Sequence, residues 1–164
     1  MLQKKICMLG GFGVGKTSLV SRFVTSIFSD TYLTTIGVKI DKKTFAVDAH
    51  EMTLMLWDIY GQDDYQALRM SYLRGASGYL LVVDGTRRAT LDTAIDLKHR
   101  VQQAIGPVPF VVVLNKSDLA AEWSLDEALV AFLAGDQPVI RTSAKTGDGV
   151  EDAFKALARA VLDR

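Results

Sequence analysis

The chain has 164 residues, 19 basic and 19 acidic side chains, and a hydrophobic content of 49%. One domain of this size, spanning residues 1–164, buries about 70% of its unfolded surface. The balanced charge and apolar content exclude a disordered chain and leave no basic footprint for nucleic acid. No stretch of eighteen apolar residues is present and no signal peptide opens the chain, so the expectation is a soluble, cytoplasmic monomer.

In chain order, an apolar strand over 4–9 holds the single cysteine, Cys7, which reads as a buried core thiol. A glycine-rich turn follows, then a helix over 16–27. Strands over 37–47 and 52–58 flank the short turn Asp48-Ala49-His50 and read as an antiparallel hairpin. A helix over 65–74, a strand over 79–84 and a helix over 91–105 come next. The β-branched run over 110–114 reads as a buried parallel strand. A helix over 125–133, a strand over 138–141 and a helix over 150–162 complete the chain. In the last helix Val150, Phe154, Leu157, Ala158 and Val161 share one face. Glu151-Asp152 at its start and Arg159 near its end suit the helix dipole. Long connections between the other strands call for crossover helices. The expected fold is a doubly wound α/β three-layer sandwich, with a six-stranded, mostly parallel sheet and one antiparallel edge strand.

The turn after the first strand reads Gly10-Gly11-Phe12-Gly13-Val14-Gly15-Lys16-Thr17, followed by Ser18. This is a G-x-x-x-x-G-K-T phosphate loop leaving a strand and opening a helix. Glycines let successive backbone N–H groups turn inward around phosphate oxygens, and the helix points its positive end at the same place. Lys16 is placed to reach β- and γ-phosphates and Thr17 to ligate Mg²⁺. The pattern points to a nucleoside triphosphate. The run over 110–114 delivers Asn115-Lys116-Ser117-Asp118 at its C-terminal end, where open α/β sheets bind ligands. An aspartate there accepts both the N1–H and the exocyclic N2–H of guanine. Adenine offers neither, and a site that hydrogen-bonds such groups rejects the analogue lacking them by roughly 10⁴-fold. His50 and His99 have no partner at metal-ligand spacing. Met52 and Met55 read as packing residues, and Trp57 points either to the core or to an effector surface.

With these motifs in order, the sequence resembles a small GTPase of the Ras superfamily, nearest to its Rab-like members, over essentially the whole chain. Trp57-Asp58-Ile59-Tyr60-Gly61-Gln62 resembles the D-x-x-G-Q segment, Thr35 the switch I threonine, and Thr142-Ser143-Ala144-Lys145 the last guanine loop. Phe28 stands where the family places an aromatic against guanine. The resemblance implies a P-loop G domain that binds GTP and Mg²⁺ and releases GDP. Thr17, Thr35 and Asp58 would attend the metal. Gly11, Phe12, Gly13, Val14, Gly15, Lys16, Thr17 and Ser18 would surround the phosphates. Asn115, Lys116, Asp118, Ser143, Ala144 and Lys145 would form the base site. Lys16, Thr35, Gly61 and Gln62 would serve hydrolysis, with Gln62 orienting the attacking water. Residues 30–40 and 60–74 would meet effectors, exchange factors and GTPase-activating proteins.

Phe12 and Tyr60 depart from the family pattern, which has small residues at both places. The Phe12 ring either crowds the γ-phosphate or obstructs an incoming arginine, or it points out to solvent or onto switch II. Arg69 and Arg74 read as solvated or paired rather than as an arginine finger. No C-terminal Cys, polybasic tail or N-terminal Met-Gly is present, so no lipid anchor is expected. A GTP-binding module with negligible hydrolysis and, more remotely, a P-loop small-molecule kinase are the alternative readings.

Overall fold

The computed structural model describes residues 2–25, 37–60 and 70–162. Six strands run β1 (Leu2–Gly10), β2 (Gly37–Val47), β3 (His50–Tyr60), β4 (Gly78–Asp84), β5 (Phe110–Asn115) and β6 (Val139–Arg141). They form one sheet in the order β2-β3-β1-β4-β5-β6. Among the described strands only β2 is antiparallel, paired with β3 from Gly37↔Tyr60 to Val47↔His50. Helices α1 (Lys16–Thr25), α2 (Ala89–Ile105), α3 (Glu127–Ala134) and α4 (Val150–Leu162) cover its two faces.

Strand alternation explains the layering. Ile6, Met8, Leu54, Leu56, Leu80, Val82, Val111 and Val113 form one core with Leu19, Phe23, Phe154 and Leu157 of α1 and α4. The alternate residues Cys7, Leu9, Tyr79, Leu81, Val83, Val112 and Leu114 form the other with Leu91, Leu97, Val130 and Leu133 of α2 and α3. The central strands are apolar on both faces because both are covered. Met52 is fully buried, as a packing residue should be, and His50 and His99 are exposed. Burial pushes the Cys7 thiol up to about 11, against the pull of the Lys5 charge. Trp57 is half-buried against the α2 face, with the Lys5 ammonium 3.6 Å from its ring centre.

The six expected strands and the helices expected over 91–105, 125–133 and 150–162 are present, with local shifts; of the helix expected over 16–27, residues 16–25 form α1 and 26–27 lie outside the described residues. The hairpin turn narrows to two residues, and Asp48 takes a positive φ of 54°. Helix α3 begins at Glu127 because the Asp126 carboxylate caps it, accepting from the N–H groups of Ala128 (2.9 Å) and Leu129 (3.3 Å). Of the helix expected over 65–74, residues 65–69 lie outside the described residues, and the remainder forms a 3₁₀ turn at Met70–Leu73. Gly75, at φ 79°, and a Ser77 N–H bond to the Lys5 carbonyl (2.8 Å) turn the chain into β4. A second 3₁₀ turn, Ser117–Glu122, follows β5 and was not expected from the sequence.

Chain order changes direction across the sheet between β1 and β4. Ligands bind outside the strand C-termini at such a switch point; Gly10, Asp84 and Asn115 end their strands at that edge, and Asp58 lies two residues before the end of β3.

Candidate functional site

Residues 11–15 connect β1 to α1 and take an unusual backbone path. Gly13 and Gly15 sit at φ 75° and 100°, a region that residues with a Cβ seldom occupy. Three consecutive carbonyls of this loop are held by side chains at or just beyond the ends of β4 and β5. The Phe12 carbonyl accepts from Arg87 Nη2 at 2.5 Å, the Gly13 carbonyl from Lys116 Nζ at 3.1 Å, and the Val14 carbonyl from Asn115 Nδ2 at 2.9 Å. Fixing three carbonyls outward frees the intervening N–H groups for an anion on the other side. Lys16 opens α1, with its Nζ 3.5 Å from the Gly10 carbonyl. Gly11 and Val14 are buried, and Gly15, Lys16, Thr17 and Ser18 are half-buried. The Phe12 side is settled by exposure: the residue is 66% exposed, so its ring points to solvent.

At the β3 end, the Thr17 hydroxyl donates to Asp58 Oδ2. Asp58 is fully buried, and its Oδ1 has no hydrogen-bond partner among the described residues. Burial pushes its carboxyl up, opposed first by the Lys16 charge, then by the Thr17 hydrogen bond and by Lys39. An inaccessible carboxylate oxygen without a donor beside a hydroxyl oxygen suits a hard dication, which prefers oxygen ligands. Among the described residues no three His, Cys, Asp or Glu side chains gather to hold a metal. One carboxylate and one hydroxyl, with phosphates completing the shell, is the arrangement Mg²⁺ favours over an all-protein cage.

At the β5 end, Asn115 is a junction. Besides binding Val14, its Oδ1 accepts from the Thr142 hydroxyl (3.0 Å) and the Ala144 N–H (3.3 Å). The N–H of Ala144, which the resemblance places in the base site, faces Asn115 here. Ser143, fully buried, donates to Asp118 Oδ1 at 2.7 Å and accepts from the Thr146 N–H at 3.1 Å. Asp118 and Lys145 are exposed. Lys116 adopts a left-handed backbone (φ 72°, ψ 37°), which turns its side chain back over the phosphate loop. Phe28, Thr35, Gly61 and Gln62 lie outside the described residues, as do most of residues 30–40 and 60–74.

Sequence reasoning missed Asp84 and Arg87. Asp84 ends β4, is fully buried and lies in register with Asn115. Its Oδ2 meets both Lys116 Nζ (2.7 Å) and Arg87 Nε (2.9 Å), and its Oδ1 accepts from the Thr86 N–H (2.9 Å) and hydroxyl (2.7 Å). Burial alone would raise this carboxyl, but the bonds from Lys116, Thr86 and Arg87 outweigh it and hold it at about 2. The available signal was an acidic residue at a strand end, one step from a glycine and followed by Thr86-Arg87.

No helix among the described residues is long and apolar enough to cross a membrane. The Ras family profile matches residues 5–163. The chain is 35% identical to Ras-related protein Rab-1 of Theileria parva, over 98% of this chain and 74% of that protein. It is 34% identical to Rab-1D of Dictyostelium discoideum, over 98% and 80%, and 32% identical to Rab-13 of the dog, Canis lupus familiaris, over 96% and 79%. With a phosphate loop at the sheet's switch point and this likeness along nearly its full length, the chain belongs to the Ras family.

Proposed function

We propose that the chain is a single G domain of residues 1–164, working in the cytoplasm as a monomeric switch that holds GTP with Mg²⁺ and hydrolyses it slowly. Ras family membership makes it a GTPase; slow turnover, the site residues and the switch are our reading. The observation that carries it is the Asn115 side chain. It joins the loop that would hold phosphates to the strand end that would hold a base, so both ends of one nucleotide meet a single rigid frame.

In this reading the N–H groups of residues 13–18 and the Lys16 ammonium bind the phosphates. Thr17, Asp58 and Thr35 hold the cation, which when bound neutralises charge on the β- and γ-phosphate oxygens. Asp118, oriented by the Ser143 hydroxyl, accepts the two guanine N–H groups. Lys116 lies along the base, and the Ala144 N–H and Lys145 close the far side with Phe28. Gln62 orients the attacking water. The γ-phosphate anchors Thr35 and the Gly61 N–H, so its loss releases residues 30–38 and 60–72. Effectors, exchange factors and activating proteins then distinguish the two states. Intrinsic hydrolysis in this class runs at roughly 10⁻⁴ per second.

Competition against a fluorescent GDP tests the nucleotide assignment. GTP and GDP should displace it with Mg²⁺ present, while ATP at roughly a thousandfold excess should not, given the discrimination a paired N–H site gives. Equal displacement by ATP would contradict the base site.

A further inference from the structure

Of the three side chains that hold the phosphate-loop carbonyls, Arg87 lies in none of the motifs named so far. It follows β4, three residues after Asp84, and 45% of its side chain is exposed. The guanidinium nevertheless spans two fixed acceptors. Nε bonds the buried Asp84 carboxylate at 2.9 Å, and Nη2 bonds the Phe12 carbonyl at 2.5 Å. Arginine's planar fork suits this double duty, because one bond orients the group for the other. Asp84 itself cannot drift, since Thr86 supplies two bonds to its second oxygen and Lys116 shares the first. Lys116 in turn bonds the Gly13 carbonyl. One buried carboxylate thus anchors two cations, and the cations hold two adjacent carbonyls of the loop. Gly13 is also closely covered: a Cβ there would lie 3.3 Å from Arg87 Nη2.

We propose that Arg87 is a positioning residue of the phosphate loop: tethered to Asp84, it pins the Phe12 carbonyl and thereby slows release of the bound nucleotide. The inference rests on the reading that this loop holds a guanine nucleotide. It adds a contact made by a side chain outside the phosphate and base motifs. Binding energy is retained because the loop stays in its phosphate-ready shape when empty, so less ordering is required on binding.

The test is the release rate of GDP carrying a ribose fluorophore, chased with unlabelled GDP in Mg²⁺. Arg87→Ala should release it about three- to tenfold faster, the scale of one half-exposed charge-assisted hydrogen bond. Arg87→Lys keeps a cation able to reach one acceptor and should recover part of the difference. Arg87→Met keeps only the apolar stem and should recover none. A packing role for the stem predicts the reverse order for Met and Lys and would overturn the proposal. Arg88→Ala, whose residue faces Asp126 at 3.9 Å, serves as the neighbouring control and should match the unaltered chain. If the unaltered chain holds no guanine nucleotide, both readings fall together. If it holds GDP and Arg87→Ala releases it at the same rate, this inference alone falls. A loss of hydrolysis near a thousandfold with release unchanged would put the guanidinium on the reacting phosphate, as arginine fingers are, and would also overturn it.

Discussion

The two ends of the site are built on opposite principles. At the β5 end, polar groups are bonded to one another: Asn115 to Val14, Thr142 and Ala144, and Ser143 to Asp118 and Thr146. At the β3 end, Asp58 is fully buried, and one of its oxygens has no donor among the described residues. The first end is a finished frame that orients what it will bind. The second end is incomplete among the described residues, and a charged carboxylate there costs stability, which the cation of our proposed site would offset. The buried Asp84 and Asp58 make the same contrast in charge. Asp84 is held low by three partners, whereas Asp58 is pushed up by burial.

Asp118→Asn attacks the finished end at the carboxylate proposed to read guanine. It should lower the preference for guanine over adenine nucleotide by on the order of 10⁴-fold, read in the same competition assay. Retained preference would mean that the frame selects the base through other groups.

Asp58→Asn attacks the incomplete end. Neutralising a carboxyl whose folded-state pKa is raised removes a cost that is present once pH exceeds its ordinary value. The nucleotide-free protein should therefore melt about 2–4 °C higher, while Mg²⁺ should no longer slow nucleotide release. A lower melting temperature would show that the Thr17 hydrogen bond outweighs the burial cost.

Asp84→Asn tests the low-pKa carboxylate. Between about pH 4 and pH 2 the unfolded chain binds a proton here that the fold does not, so this group's contribution is full above pH 4 and is lost as pH falls toward about 2. In the Asn variant the acid limb of the stability curve should be shallower over that interval. Identical slopes would sever Asp84 from the network. The smallest effect is expected from Phe12→Gly. With the ring in solvent, intrinsic single-turnover hydrolysis should change by less than about threefold, the range of a surface substitution.

Local chemistry was readable in the chain; contacts across the fold were not. Gly10–Thr17 spells out its own backbone needs, and the run over 110–114 announces a buried strand that ends in Asn115. Arg87, by contrast, looks like one of two polar arginines after a strand. It gains a role only because the β4–β5 register sets Asp84 beside Asn115, and the β1–β4 register brings Phe12 within reach. Asn115 likewise reads as a base ligand, but its bond to Val14 joins residues 101 positions apart. The start of α3 shifted for a local reason instead: the Asp126 cap, rather than the apolar periodicity, decides where the helix begins.

The most direct test of the account is to load the protein with GTP and Mg²⁺ and follow the bound nucleotide over hours under single-turnover conditions. The account predicts that GTP stays bound and converts to GDP at roughly 10⁻⁴ per second, and more slowly still in Gln62→Ala. A protein that retains no GTP, or that retains it unhydrolysed throughout, would contradict it.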